Sequence, residues 1–481
     1  MLALVNTNRM VPPIGPIGLD YIAGAVGKAG FEVDVVDLCL ANEPLRTLKN
    51  YFANHSPQLV GVSFRNADDC FWPSCAWFVP DLAETISAIR SMTDAPIIIG
   101  GVGFSIFGER IVEYTDADFG VRGDGEQSVV SLLGELSGSR RFESIEGLIW
   151  RDNGEICSNR PAWPMQLSLP TGRDAIDNLT YLKRGGQCGL ETKRGCNRRC
   201  IYCADPLSKG RAVRLRDPSE VADEVESLLA QGVNVLHLCD SEFNIPRSHA
   251  YAVCEEFKRR SFGKKLRWYT YMAVLPFDAE LAEAMSEAGC VGIDFTGDSG
   301  CDSMLRTYCQ QHHKKDLASA VQLCRANGIT VMIDLLLGGP AETAETVAET
   351  IDFIKQISPD CAGAPLGIRV YPGTGMARIV AAEGSPETNP NIHRRYSGPV
   401  DFFKPTFYIS KALGEKPARL VQDLIAGDKR FFGPTEEVDA GEAEDIVSTD
   451  HNYSDNTELV ESIEAGATGA YWDILRKLRS S

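Results

Sequence analysis

Three cysteines, Cys196, Cys200 and Cys203, stand at C-x3-C-x2-C spacing in the run Arg194-Gly-Cys-Asn-Arg-Arg-Cys-Ile-Tyr-Cys. Three thiolates on so short a loop can wrap one face of a compact metal centre. No fourth thiol follows at comparable spacing, whereas structural zinc takes four closed ligands. The triad therefore favours an iron–sulfur cluster with one iron left open to a substrate or cosubstrate. A zinc knuckle completed by a distant Cys or His, and three buried thiols without metal, are the alternatives.

A loop of this kind needs a rigid support, and the flanking sequence supplies one. From Gly189 onward apolar runs (Val235-Leu-His-Leu-Cys, Leu266-Arg-Trp-Tyr-Thr-Tyr, Val291-Gly-Ile-Asp-Phe, Ile329-Thr-Val-Met-Ile-Asp-Leu, Leu366-Gly-Ile-Arg-Val) alternate with helical patterns such as 218–230 and 342–357. With the strand before Cys196 this makes about six βα units, a partial barrel whose chemistry belongs at the carboxyl ends of its strands. An earlier series, Leu2-Ala-Leu-Val-Asn, Phe31-Glu-Val-Asp-Val-Val-Asp, Leu59-Val-Gly-Val-Ser-Phe, Ala95-Pro-Ile-Ile-Ile-Gly and Phe119-Gly-Val-Arg, predicts a doubly wound parallel sheet. Its ligand edge would carry 6–9, Ser63 to Asn66, Gly100 to Gly103 and Gly123 to Gly125. The expected class is α/β: a Rossmann-like domain over 1–135, a connector over 136–180, a partial (βα)6 barrel over 181–385 and a C-terminal extension over 386–481. Between Glu436 and Glu464 there are eleven acidic residues and no Lys or Arg, which predicts a solvated segment, followed by an amphipathic end from Tyr471 that docks back on a domain.

The triad, with an aromatic residue before its last cysteine, resembles the signature of radical S-adenosylmethionine (SAM) enzymes. The resemblance implies that Cys196, Cys200 and Cys203 ligate a [4Fe-4S] cluster whose fourth iron is chelated by SAM. It places Tyr202 by the adenine, and Asp240, Glu242 and Asn244 where the methionyl amino group is recognised. Asp298 and Ser299 fall where ribose and carboxylate contacts lie, and Arg369 is expected to pair with the SAM carboxylate from the sixth strand.

The first domain is similar to the cobalamin-binding domain that precedes the barrel in one large subgroup. The similar segments are Pro12-Pro-Ile-Gly-Pro-Ile-Gly-Leu-Asp-Tyr, Gly61-Val-Ser63-Phe-Arg65-Asn66, Gly100-Gly101-Val-Gly103-Phe-Ser and Asp118-Phe-Gly-Val-Arg-Gly123-Asp-Gly-Glu126. Glycines without a Cβ let backbone approach a flat macrocycle closely. The D-x-H-x-x-G cobalt-ligating motif is absent, and the domain's one histidine, His55, lies outside any such context. A protein imidazole on cobalt is therefore not expected, and Arg65 is placed near the lower face of the corrin.

The resemblance implies a C-methyltransferase that moves a methyl group from SAM through methylcobalamin to a carbon of a small molecule. The transfer would be radical, or polar where the carbon is nucleophilic. A non-methylating reaction on the same cofactors, such as cyclisation, ring contraction or oxidation, is the alternative, and a sensor without turnover is a third class. Flavodoxin or ferredoxin is the implied electron donor. The 481 residues carry a net charge of −18, with 44% apolar and 24% charged residues. Those values argue for folded cores and against a general nucleic-acid or anionic-membrane surface. With no apolar run of membrane-spanning length, a cytoplasmic enzyme is expected.

Overall fold

The computed structural model describes residues 1–435 and 456–480. Seven strands form the first sheet: β1 (Leu2–Asn6), β2 (Val33–Asp37), β3 (Leu59–Ser63), β4 (Ile97–Gly100), β5 (Phe119–Val121), β6 (Leu148–Asp152) and β7 (Glu155–Ser158), in the order β2-β1-β3-β4-β5-β6-β7. The first five are parallel, and every residue of β1 is buried, as a run covered by helices on both faces requires. Chain direction across the sheet reverses between β1 and β3, so their carboxyl ends diverge and open a crevice. The helix Ile17–Lys28 between β1 and β2 stops at Gly30, whose φ of 86° lets Phe31 bond back to the Val26 carbonyl.

The sheet runs past residue 135, into the stretch expected to be a connector. There β6 and β7 join antiparallel through a two-residue turn, Asn153 and Gly154, both at positive φ. Such a turn matches strand twist, and the hairpin covers the edge that β5 would otherwise expose.

The second sheet is the barrel wall, with all strands parallel and in chain order: β8 (Cys188–Leu190), β9 (Val235–Leu238), β10 (Arg267–Ala273), β11 (Cys290–Asp298), β12 (Thr330–Leu335), β13 (Cys361–Gly363) and β14 (Phe431–Phe432). The expected sixth strand at Leu366 is not a wall strand. Cys361–Gly363 takes that position, and Gly367, at φ 93°, turns the chain out of the barrel. Ile368–Arg369 then pairs antiparallel with Phe407–Tyr408, which also holds Ile392–His393.

Of the acidic segment expected to be solvated, residues 436–455 lie outside the described residues. The remainder is the helix Thr457–Glu464, capped by Asn456 and burying Leu459 and Ile463. The last helix, Tyr471–Ser480, inserts Trp472 and Asp473 against β10: the Tyr269 hydroxyl donates to Asp473 at 2.9 Å, and its ring meets Trp472 edge-on. Gly292 on β11 makes room, since a Cβ there would fall 2.6 Å from the Tyr269 ring and 2.9 Å from Trp472.

Buried charge joins the two domains. Arg173, 2% exposed, donates to Asp20 of the first domain (2.5 Å) and Glu224 of the barrel (2.7 Å), and the Tyr21 hydroxyl donates to the same Glu224. Arg194 pairs with Glu126 at 2.9 Å, Arg214 with Asp124, and Arg369 with Asp68 at 2.9 Å. Removing one partner of such a pair leaves an uncompensated buried charge, so these contacts fix how the domains face each other.

Candidate active site at the domain seam

A cavity of about 1220 Å³ lies between the domains. It exceeds the roughly 300–1,000 Å³ typical of a site for one small ligand, so it has room for a macrocycle. The first domain contributes the ends of β1, β3 and β4, including Asn6, Ser63, Arg65, Asn66, Gly100 and Gly101, with Gly123 and Glu126 beyond β5. The barrel contributes Cys188, Gly189, His237, Cys239, Asp240 and Tyr271, and the last helix contributes Tyr471.

The glycines of the first domain divide into two kinds. A Cβ at Gly100 would meet nothing nearer than 3.9 Å, so its face is open. Gly101, at φ 116°, would put a Cβ 2.5 Å from the Phe64 carbonyl oxygen, and Gly103 would put one 2.8 Å from the Ala67 nitrogen; Gly103 does not line the cavity. Gly123, at φ 95°, packs on the Ala162 backbone. These three are required by backbone packed on backbone. His55 is exposed, stacks on Tyr51 at 4.4 Å and stands outside the cavity.

The cysteine loop follows β8. Gly195 at φ 92° starts it, because a Cβ there would lie 2.0 Å from the Ala212 carbonyl oxygen. Backbone bonds from Cys196 to Gly210, Ile201 to Tyr308 and Met376 to Ile201 hold it. Burial raises the pKa of all three thiols, Cys200 to about 12, and each of Cys200 and Cys203 is pushed further by its neighbours' charge. The thiols hold their protons without metal, and metal binding must release them.

Around the triad, the Tyr202 hydroxyl bonds Asp298 at 2.8 Å, and Gln310 donates to Asp298, to the Tyr202 oxygen and to the Cys200 sulfur. Burial raises Asp298 to about 7. Glu242 is raised to about 8, chiefly by burial; one oxygen accepts from Thr296, and the other is buried without a hydrogen-bond partner. An orphaned carboxylate oxygen that electrostatically perturbs Cys196 and Cys200 fits a cationic or metal-bound group at the triad's open side.

Other residues expected near SAM are engaged within the protein. Asp240 accepts from the Thr192 and Lys193 backbone and from the Lys193 ammonium, which offset its burial and keep its pKa low. Asn244 donates to the Ala273 and Pro276 carbonyls. Ser299 bonds Thr350 and caps the backbone at Cys301. Arg369 is the clear correction: it is not on the barrel wall, and its guanidinium is taken up by Asp68 and the carbonyls of Val370 and Phe402. The sequence had not singled out Gln310, His237 or Tyr471 as site residues; no motif marks them.

Comparison with known proteins fits this geometry. The radical SAM superfamily model matches residues 190–354, and the B12-binding domain model matches 5–133. The tryptophan 2-C-methyltransferase of Streptomyces laurentii is 29% identical over 98% of this chain and 95% of its own. The solved structure of the radical SAM methyltransferase TsrM from Kitasatospora setae, with tryptophan and a SAM analogue bound, is 31% identical. It covers 100% of this chain and 97% of that one, at a TM-score of 0.90. The chain belongs to the cobalamin-dependent radical SAM methyltransferases. The cobalamin-dependent radical SAM enzyme OxsB, 18% identical at a TM-score of 0.70, shares the fold. As a cobalamin-dependent radical SAM methyltransferase, the chain takes a [4Fe-4S] cluster, SAM and cobalamin. The neighbouring thiols and the open crevice at the ends of β1 and β3 suit the cluster and the corrin.

Proposed function

We propose that the chain methylates a carbon of an indole-bearing small molecule, tryptophan or a close relative. The full-length likeness to a structure that holds tryptophan carries this reading. When bound, the corrin supplies the methyl group and the cluster holds SAM in place. Cys196, Cys200 and Cys203 hold the cluster, and the free oxygen of Glu242 meets the methionyl ammonium. Tyr202 and Asp298 form the nucleoside side. Ser63, Asn66, Gly100 and Glu126 border the corrin, with Arg65 beside it. The buried arginine–carboxylate pairs keep the seam closed, so the reacting groups are aligned and water is excluded.

Flavodoxin or ferredoxin serves as electron donor in this reading, and the enzyme works in the cytoplasm. Among the described residues no helix is long and apolar enough to cross a membrane. The test is anaerobic incubation of the reconstituted holoenzyme with SAM, L-tryptophan and a low-potential reductant, followed by mass spectrometry. A singly methylated tryptophan, heavier by one CH2 because the methyl replaces a hydrogen, is expected together with S-adenosylhomocysteine. Its absence from holoenzyme with full corrin and iron would overturn the substrate.

A further inference from the structure

The barrel side of the cavity carries two polar rings that border it. His237 on β9 and Tyr471 at the start of the last helix are 8% and 6% exposed, and both line the cavity. The His237 ring hydrogen-bonds the Leu238 backbone through one nitrogen, which leaves the other for a ligand. His237 stands in register with Gly189 on β8, which lines the same cavity with Cys188 and Tyr471, and Arg65 of the first domain acts electrostatically on both rings. Tyr271 stands beside them, its ring centroid 4.7 Å from that of His237.

Both rings are held in place. β9 fixes His237 between β8 and β10. Tyr471 precedes Trp472 and Asp473, which are locked against Tyr269. Burial lowers the His237 pKa to about 4; Arg65 adds to the drop, while the Leu238 backbone and Asp240 oppose it. The imidazole is therefore neutral near pH 7 and offers an acceptor nitrogen. Burial likewise keeps the Tyr471 phenol protonated. Cys39 and Cys188 act on Tyr471, while the Cys239 thiol donates to the His237 carbonyl and the Tyr271 ring lies against His237. A mostly apolar wall with two fixed polar points is how a pocket orients a planar ligand.

We infer that His237 and Tyr471 form the substrate-anchoring pair of this enzyme: His237 accepts the ring N–H of an indole, and the Tyr471 hydroxyl bonds the substrate's polar side chain. The inference rests on the indole reading above, because the N–H is the one hydrogen-bonding group of that ring.

The test is anaerobic calorimetric titration of the holoenzyme with L-tryptophan and with its benzothiophene analogue, in which sulfur replaces the ring N–H. The wild type should bind tryptophan about tenfold more tightly, the worth of one buried hydrogen bond and its unmade counterpart. His237→Phe should abolish that preference while still binding the analogue, and His237→Gln, which keeps an acceptor, should restore part of it. Corrin absorbance checks folding, and His237→Met carries the same comparison where the Phe variant fails to fold. Tyr471→Phe should weaken both ligands alike. A preference that survives in the Phe or Met variant, equal binding of both ligands by the wild type, or unchanged binding by Tyr471→Phe would overturn the anchoring pair and leave the indole reading standing. Failure of the wild type to bind either ligand would overturn both.

Discussion

Arg369 and Asp68, 301 residues apart in the chain, hold each other at 2.9 Å with 1% of either side chain exposed. The arginine expected to clasp a cosubstrate instead fastens the barrel's small sheet to the first domain.

Breaking that pair from one side should be costly. Asp68→Asn or Arg369→Met is expected to lose about 3–5 kcal/mol in chemical denaturation, because the remaining charge stays buried. The double variant Asp68→Leu/Arg369→Met should lose less than the sum and keep its affinity for SAM. Loss of SAM binding in both variants that lack Arg369, but not in Asp68→Asn, would return Arg369 to the SAM site.

Replacing any one of Cys196, Cys200 and Cys203 by Ala should remove iron and sulfide from the reconstituted protein and abolish methylated product. The circular dichroism spectrum should stay unchanged, since backbone bonds hold the loop without metal. Iron content near that of the wild type in Cys200→Ala would contradict the triad.

The two kinds of glycine at the end of β4 should part in experiment. Gly101→Ala forces a Cβ to 2.5 Å from the Phe64 carbonyl oxygen at φ 116°, and is expected to destabilise the first domain by about 1–3 kcal/mol. Gly100→Val, where the space is open, should leave the melting temperature near that of the wild type yet lower corrin content by filling the cavity. Equal effects on stability would remove the distinction.

Glu342 should lower the stability of the cofactor-free protein as pH rises. Glu342, fully buried, accepts from the Gly338 and Gly339 nitrogens and the Tyr308 hydroxyl, and burial raises it from 4.5 to about 7. Between those values the folded state holds a proton that the unfolded chain has released, so stability falls across the window and the loss levels off above it. Glu342→Gln removes this share, so the difference in melting temperature between variant and wild type should grow from pH 5 to pH 8. A constant difference would show that Glu342 ionises normally.

The continuous apolar runs at Leu2–Asn6 and Val235–Leu238 are legible as buried parallel strands because helices cover both faces. The cysteine loop is legible because its ligands are close in sequence. Cys361–Gly363 is not: three small residues leave no period, and Leu366-Gly-Ile-Arg-Val is the more apolar run. Arg369 meets Asp68 across the domain seam, a pairing that spacing along the chain does not encode. His237 sits in an apolar strand like any core residue, and only its neighbours show that it faces the cavity. The amphipathic end at Tyr471 predicts docking, but not that its first ring enters the site.

The last helix also imposes an order on biosynthesis. The first sheet is complete by Ser158 and can fold while the rest is being translated. The barrel cannot: β14 and the helix that braces Tyr269 come far later in the chain, at Phe431–Phe432 and Tyr471–Ser480. A nascent chain is therefore able to shape its corrin crevice long before the opposite wall exists.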